Sequence, residues 1–257
     1  MKKFLEKYDL LRIIRVLGAA GLIVVLYFSI QFKANSNLKK ISITIESQYK
    51  EKLINKNDIL RFLNKSLNKD LEIAKIEKVD ILKIEKLLDN SNFIKNADVY
   101  LDSKNQLHIK CKLRDPIVRI NRQNKKDFYI DIEGNPIPVS KRATVRVPVV
   151  TGAVNRINLK NRNNKNSEYR KIWKLSKKIY EDPFLNALIE QINIDRDNTF
   201  TLIPKLGKQQ IEFGDLTNID NKLTKIKAFY KNGMTQSGWN KFNKLSVKWD
   251  GQIVGSF

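Results

Sequence analysis

The chain holds 257 residues, 49 of them Lys or Arg and 27 Asp or Glu, for a formal net charge of +22. That length suits one large or two modest domains, and a single cysteine, Cys111, excludes an internal disulfide framework and a cysteine-rich zinc site. The charge is spread through a Lys-, Asn- and Ile-rich composition without alternating arginines and aromatics, so it reads as compositional bias and not as a nucleic-acid groove.

The first element is an anchor. Residues 16–30, VLGAAGLIVVLYFSI, carry no charge, and residues 13–32 carry one, Arg15. About twenty such residues cross a hydrocarbon core as a helix. Arg15 can snorkel at one end, and Tyr27 and Phe28 suit the interfacial belt at the other. A cleaved signal peptide is the competing reading, with Ala34 and Ser36 as small residues for a cut, but the apolar run is long for one. Lys2, Lys3, Lys7, Arg12 and Arg15 against Glu6 and Asp9 leave a flank of +3. The positive-inside rule then expects residues 1–12 as a cytoplasmic tail, 13–32 as a single retained span, and the remaining 225 residues outside the cytoplasm.

A strand follows in KKISITIES (residues 39–47), with Ile41, Ile43 and Ile45 on one face. NKNDILRFLNKSL predicts a helix capped by Asn57 or Asp58, with Ile59, Leu60, Leu63 and Leu67 inward. VDILKIEKLLDNS predicts a second, capped by Asp80, with Ile81, Ile84, Leu87 and Leu88 inward. NADVYLDSKNQLHIKCKL then predicts a hairpin turning around residues 103–105. Leu107, Ile109, Cys111 and Leu113 face in while His108, Lys110 and Lys112 face out. His108 and Cys111 therefore lie on opposite faces and cannot form a dyad. The order is β-α-α-β-β over residues 39–114, closed by Arg114-Asp115-Pro116.

Residues 115–257 predict a mixed or antiparallel β domain with flanking helices. IVRIN opens it. DFYIDIEGNPIPVS predicts a hairpin with Glu133-Gly134 at the turn, in which Pro136 and Pro138 discourage further pairing at an edge. VRVPVVTG (residues 145–152) is the next strand. Residues 155–178 hold nine basic residues against Glu168. The first half is read as a loop and the second as a helix with Tyr169, Ile172, Trp173 and Ile179 inward, ended by Asp182-Pro183. A hairpin around residues 196–198 and a strand in LGKQQIEFGD come next. The last helix carries Ile219, Leu223, Ile226 and Phe229 or Tyr230. A last strand places Leu245, Val247 and Trp249 opposite Ser246 and Lys248, with Asp250-Gly251 as a turn or bulge. The fold class is thus α+β: an N-terminal transmembrane helix, the β-α-α-β-β domain, then the β domain.

Catalytic signals are few. The one histidine stands on a polar strand face, no ligand spacing points to a metal, and no glycine-rich phosphate loop or nucleophile elbow occurs. Asp131 and Glu133 alternate on one strand face, where a solvated hairpin rim is expected. No cofactor and no small-molecule substrate is implied.

The succession of elements resembles the FtsQ/DivIB family of bacterial cell-division proteins. ILKIEKLLDN and NFIKNADV stand where that family has an apolar helix, Pro-Trp-Val and Ala-x-Val. QLHIKCKLRDPIVRI answers to its Leu-x-Ile-x-Val and Glu-x-x-Pro, DFYIDIEGN to its Tyr-Leu-x-Asp-x-x-Gly hairpin, and VPVVTG to a Leu-Pro-x-Leu-x-Gly stretch. NKLTKIKAFY and LSVKWDGQIV answer to its closing helix and strand. Asn92 and Phe93 replace the proline and tryptophan, and QSGWNKFN before the last strand is long. The resemblance implies a POTRA domain over 39–114 and a β domain over 115–257. It further implies a non-enzymatic scaffold in the inner membrane at the septum that binds FtsB/DivIC-like and FtsL-like proteins. The surface expected to serve is the last strand, with Val247, Lys248, Trp249, Gly251, Gln252 and Ile253, and the preceding helix around Ile226, Phe229 and Tyr230. The other classes are a membrane-anchored envelope enzyme acting on peptidoglycan and a POTRA-type secretion or transport adaptor. The basic stretch is expected either as a solvated face or as a contact for anionic membrane or wall polymer.

Overall fold

The computed structural model describes residues 2–123, 125–233 and 241–257, without the side chains of residues 2–14, 32, 34 and 233. The tail side chains that set the expected topology and residues 236–240 of QSGWNKFN lie outside this description. The chain folds as two units. One comprises Met1–Glu46, Asn55–Asn90 and Asn96–Lys112; the other comprises Ser47–Ile54, Ser91–Lys95 and Leu113–Phe257.

The first unit begins with helix α1 (Lys2–Ala34). Its consecutive apolar side chains from Leu22 to Leu26 are all exposed, as are Val16, Leu17, Phe28 and Ile30. Among the described residues, no helix is long and apolar enough to cross a membrane. Strand β1 (Lys40–Glu46), helices α2 (Lys56–Leu67) and α3 (Ile81–Asp89), and strands β2 (Ile94–Leu101) and β3 (Gln106–Leu113) follow. The strands form a sheet in the order β1-β3-β2, with β1 parallel to β3. This is the expected β-α-α-β-β order.

The cap of α2 differs from expectation. Asn55 caps it, accepting from the Asp58 N–H at 2.9 Å, while the Asp58 carboxylate accepts from the Asn55 N–H at 2.9 Å. This reciprocal box places Asp58 three residues inside the cap and Asn57 within the helix. Asp80 caps α3 as expected. Leu107, Ile109, Cys111 and Leu113 are buried. His108 lies on the other face, its ring stacked on Tyr100 at 4.8 Å and its Nε2 3.0 Å from Asp102.

The second unit is one mixed sheet of nine strands. In chain order they are β4 (Pro116–Ile120), β5 (Phe128–Asp131), β6 (Pro136–Pro138), β7 (Val149–Gly152), β8 (Ile189–Ile194), β9 (Phe200–Pro204), β10 (Gln210–Gly214), β11 (Lys244–Ser246) and β12 (Val254–Ser256). In space they run β12-β11-β10-β9-β8-β7-β4-β5-β6. The pairs β4–β7, β7–β8 and β10–β11 are parallel and the others antiparallel. Helices α4 (Glu168–Glu181), α5 (Pro183–Leu188) and α6 (Ile219–Ala228) pack on one another, with α4 also against β4 and α5 against β8. Alternation sorts the core. Phe128 and Ile130 join the large cluster that includes the helices, while Tyr129 between them joins a smaller one with Leu53, Ile137 and Val145.

Three elements depart from the sequence pattern. The strand expected over residues 145–152 pairs only from Val149, because Pro148 has no N–H to give; its carbonyl accepts from the Arg119 N–H at 2.9 Å. Asp182-Pro183 ends α4 but also starts α5, the Asp182 carboxylate accepting from the N–H groups of Phe184 and Leu185 at 2.9 and 3.2 Å, with Pro183 in the first helical turn where no N–H is needed. Leu175 joins Tyr169, Ile172 and Ile179 in the buried face of α4, while Trp173 is only half-buried.

The β5–β6 hairpin forms as expected, but its carboxylates are not a solvated rim. Asp131 is 2% exposed. It accepts from the N–H groups of Glu133 and Asn135 and pairs with Arg114 at 2.9 Å. Only Glu133 is exposed, held by Lys95 at 2.6 Å. Helix α4 grips the same turn: the Tyr169 hydroxyl donates to the Gly134 carbonyl at 2.9 Å and Trp173 Nε1 to the Ile132 carbonyl at 3.2 Å. Gly134 has φ +84°, and a Cβ there would come within 3.2 Å of Trp173 and Arg170. Asp131→Ala leaves Arg114 only the longer contact to Glu133 at 3.5 Å and strands the N–H donors of Glu133 and Asn135, so a loss of about 3 kcal/mol is expected. Urea unfolding of the variant measures it.

Candidate functional site

The two ends of the nine-stranded sheet are built differently. At one end stands β6, with Pro136 and Pro138 among its three residues, so it has little hydrogen-bonding capacity left for another strand. At the other stands β12, Val-Gly-Ser, paired on one side with β11 and carrying no proline or charge to blunt it.

The last strand expected from the alternation is two, and of the readings of Asp250-Gly251 as a turn or a bulge the structure has the turn. β11 ends at Ser246, residues 247–253 turn back, and β12 returns antiparallel to it. Gly251 makes the turn at φ +71°, a backbone conformation open to glycine. The residues nominated from sequence therefore occupy the connection and not a strand. Trp249 is 59% exposed, so it is not core packing. Lys248, Gly251 and Gln252 are exposed, and Ile253 is half-buried against the core. Val247 is buried.

The preceding helix is corrected similarly. Ile226 and Tyr230 are 1% and 4% exposed and belong to the core, so they cannot touch a partner directly. Burial pushes the Tyr230 hydroxyl up to about 12. Phe229 is half-buried, 6.4 Å from the Phe242 ring, which lies 5.5 Å from Phe257. A Cβ on Gly255 would come within 2.6 Å of Phe242, so only glycine lets that ring lie on β12. Sequence pattern missed three exposed or positioning residues here: Val254 and Phe257, 44% and 83% exposed, and Lys225. The apolar alternation in IVGSF was the available signal for the first two.

Lysines fix the hairpin. Lys225 Nζ on α6 donates to the carbonyls of Val247 and Trp249 at 3.0 and 2.5 Å. Lys248 Nζ pairs with Glu212 of β10 at 3.0 Å. Lys222, buried beside the Phe213 ring, donates to the Asp215 carboxylate at 2.8 Å and its carbonyl at 3.0 Å. That bond, then one from the Thr217 hydroxyl, holds the Asp215 carboxyl down at about 2.

Among the described residues nothing comparable gathers around a reactive group. A cleft of about 840 Å³ is lined by Arg119, Arg146, Lys205 and the β7 approach, with Glu190 as its carboxylate and no histidine or cysteine. The displaced carboxylates among the described residues, Asp102, Glu133, Asp182, Asp197 and Asp215, are all displaced downward by hydrogen bonds from N–H, hydroxyl, imidazole or ammonium groups, the opposite of a general acid. Among the described residues no group of three or more His, Cys, Asp or Glu could hold a metal ion.

A family model described as FtsQ/DivIB, C-terminal related, matches residues 115–256, more than half of the chain. The chain belongs to the FtsQ/DivIB family. A POTRA-like domain model matches residues 37–112. No curated protein matches the chain. Membership brings a role in cell division, within a family of non-catalytic division proteins that associate with other divisome proteins. The last hairpin closes the segment matched by the FtsQ/DivIB model.

Lys225→Met removes two charge-assisted bonds, each worth about 1.5–3 kcal/mol. Amide exchange across residues 247–253 should accelerate at least about tenfold, with that of β8 unchanged. The Asp215 contribution has a defined pH window. Its folded pKa lies below its unfolded value, so its stabilisation is complete above about 4 and is lost as the pH falls toward 2. NMR of the carboxyl should give a midpoint of about 2, returning toward 3.8 in Lys222→Met.

Proposed function

We propose that the chain is a single-pass membrane scaffold of the divisome that joins the septal peptidoglycan machinery through FtsB/DivIC-like and FtsL-like partners. Residues 1–12 form a cytoplasmic tail, 13–32 the span, 39–114 the POTRA domain and 115–257 the β domain, the last two outside the cytoplasm. Support for the span comes from the single charge in residues 13–32 and from the exposed apolar side chains between Val16 and Ile30 of α1, an arrangement unfavourable in water.

The observation that carries the partner proposal is the unblunted β12 with Trp249, Val254 and Phe257 exposed on and around it. A partner strand adds to such an edge through main-chain hydrogen bonds, and exposed aromatics supply the anchors. Lys248, Trp249, Gly251, Gln252 and Ile253 form the contact surface; Ile226, Phe229, Tyr230 and Val247 position it from beneath. The adaptor and envelope-enzyme alternatives lack an observation of this kind.

The full chain in detergent should capture the exported segments of FtsB- and FtsL-like proteins in a pull-down, and Trp249→Asp should lose them with its circular dichroism unchanged. Capture by neither protein would remove the assignment of this surface.

A further inference from the structure

Three adjacent strands, β4, β7 and β8, run parallel, so their C-terminal ends lie together at one end of the sheet. The connections leaving them carry an unusual share of the positive charge. After β4 come Arg122, Lys125 and Lys126; after β7 come Arg156, Lys160, Arg162 and Lys165; after β8 comes Arg196. Hydrogen bonds join the three connections: Lys125 Nζ donates to the Asn155 carbonyl at 3.0 Å, and Arg156 to the Asn198 side chain at 2.7 Å and the Arg196 carbonyl at 3.5 Å.

The carboxylates in reach are already engaged. Asp127 holds Arg119 and the Arg122 N–H. Glu168 pairs with Arg156. Asp195 accepts from Asn193 and Thr201, and Asp197 from Thr199. Lys126, Lys160, Arg162, Lys165 and Arg196 are exposed and have no carboxylate partner among the described residues. Unneutralised cations gathered at one end of the sheet repel one another, a cost that a bound anionic surface would remove.

We propose that this end of the sheet docks on anionic phospholipid headgroups of the membrane that holds the chain. The proposal rests on the retained anchor of the preceding section, because a tethered domain meets that bilayer at high effective concentration. Basic side chains near an anionic leaflet gain from its surface potential within a Debye length. The asparagines interspersed with the cations, among them Asn158, Asn161 and Asn163, offer amides to phosphate oxygens.

The test uses the full chain and nanodiscs of neutral phosphatidylcholine or of phosphatidylcholine with phosphatidylglycerol. Co-elution with neutral discs reads the anchor by itself, and failure to co-elute overturns the anchor and this proposal together. Amide exchange reads the docking: residues 156–166 and 195–198 should exchange at least about fivefold more slowly in anionic than in neutral discs. Half-molar salt, Lys160→Gln/Arg162→Gln/Lys165→Gln and the corresponding triple Glu variant should each abolish that difference, while partner capture by the last hairpin is unchanged. Equal exchange in the two discs overturns the proposal. So does protection that appears only when poly(glycerol phosphate) or polyglutamate is added to neutral discs, which would assign the surface to a soluble polymer or an acidic protein.

Discussion

A sheet with two ends leaves two rows of backbone groups unpaired, and this constraint organises the larger unit. Nine strands give a broad core, but the terminal strands still present N–H and C=O groups to whatever approaches. The two ends meet that demand in opposite ways. Two prolines in three residues remove donors from β6, and helix α4 clamps the turn leading into it through Tyr169 and Trp173. β12 has neither device. The missing side chain of Gly255 lets the Phe242 ring approach it closely, and its flanking apolar side chains Val254 and Phe257 are exposed. An end left open, opposite a well-blunted one, is the physical basis on which partner recognition is proposed there.

Electrostatics follow from the same architecture. With 27 acidic residues for 49 basic ones, carboxylates are the scarce partner, and the fold uses them structurally. Asp131 organises a hairpin, Asp182 caps a helix, and Asp215 neutralises a buried lysine. The half-buried Lys225 contributes geometry, holding two carbonyls of the last turn. Eight of the cations stand in the connections that leave β4, β7 and β8, whose parallel run brings those connections to one end of the sheet. Charge that looks evenly spread along the chain is therefore uneven in space.

Local pattern carried much of the first unit. Alternation in residues 41–45 and 107–113, helical spacing in α2 and α3, and the Asp80 cap all survive folding because each depends on residues within a few positions of one another. The same holds for the opposite faces of His108 and Cys111. The Asn55 cap was missed because Asn57 and Asp58 are equally good capping types; the reciprocal bond between Asn55 and Asp58 decided between them. In the second unit, Pro148 shortened β7 and Asp182 started a helix as well as ending one, two outcomes in which a breaker residue has more than one local solution.

By itself the sequence determined the α+β class, the β-α-α-β-β order of the first unit, the apolar N-terminal run, the absence of a cysteine framework and the family, since these rest on composition, short-range periodicity and the succession of motifs. Only the tertiary structure decided that the last strand is a hairpin, that Ile226, Tyr230 and Val247 are buried beneath the surface they were expected to form, that Asp131 is an interior ion-pair partner, and that three separate connections share one basic end. Those outcomes depend on strand neighbours and partners far away in the chain. A periodicity of two reports which side chains share a face, but not which face is covered, where a strand turns, or which loops meet.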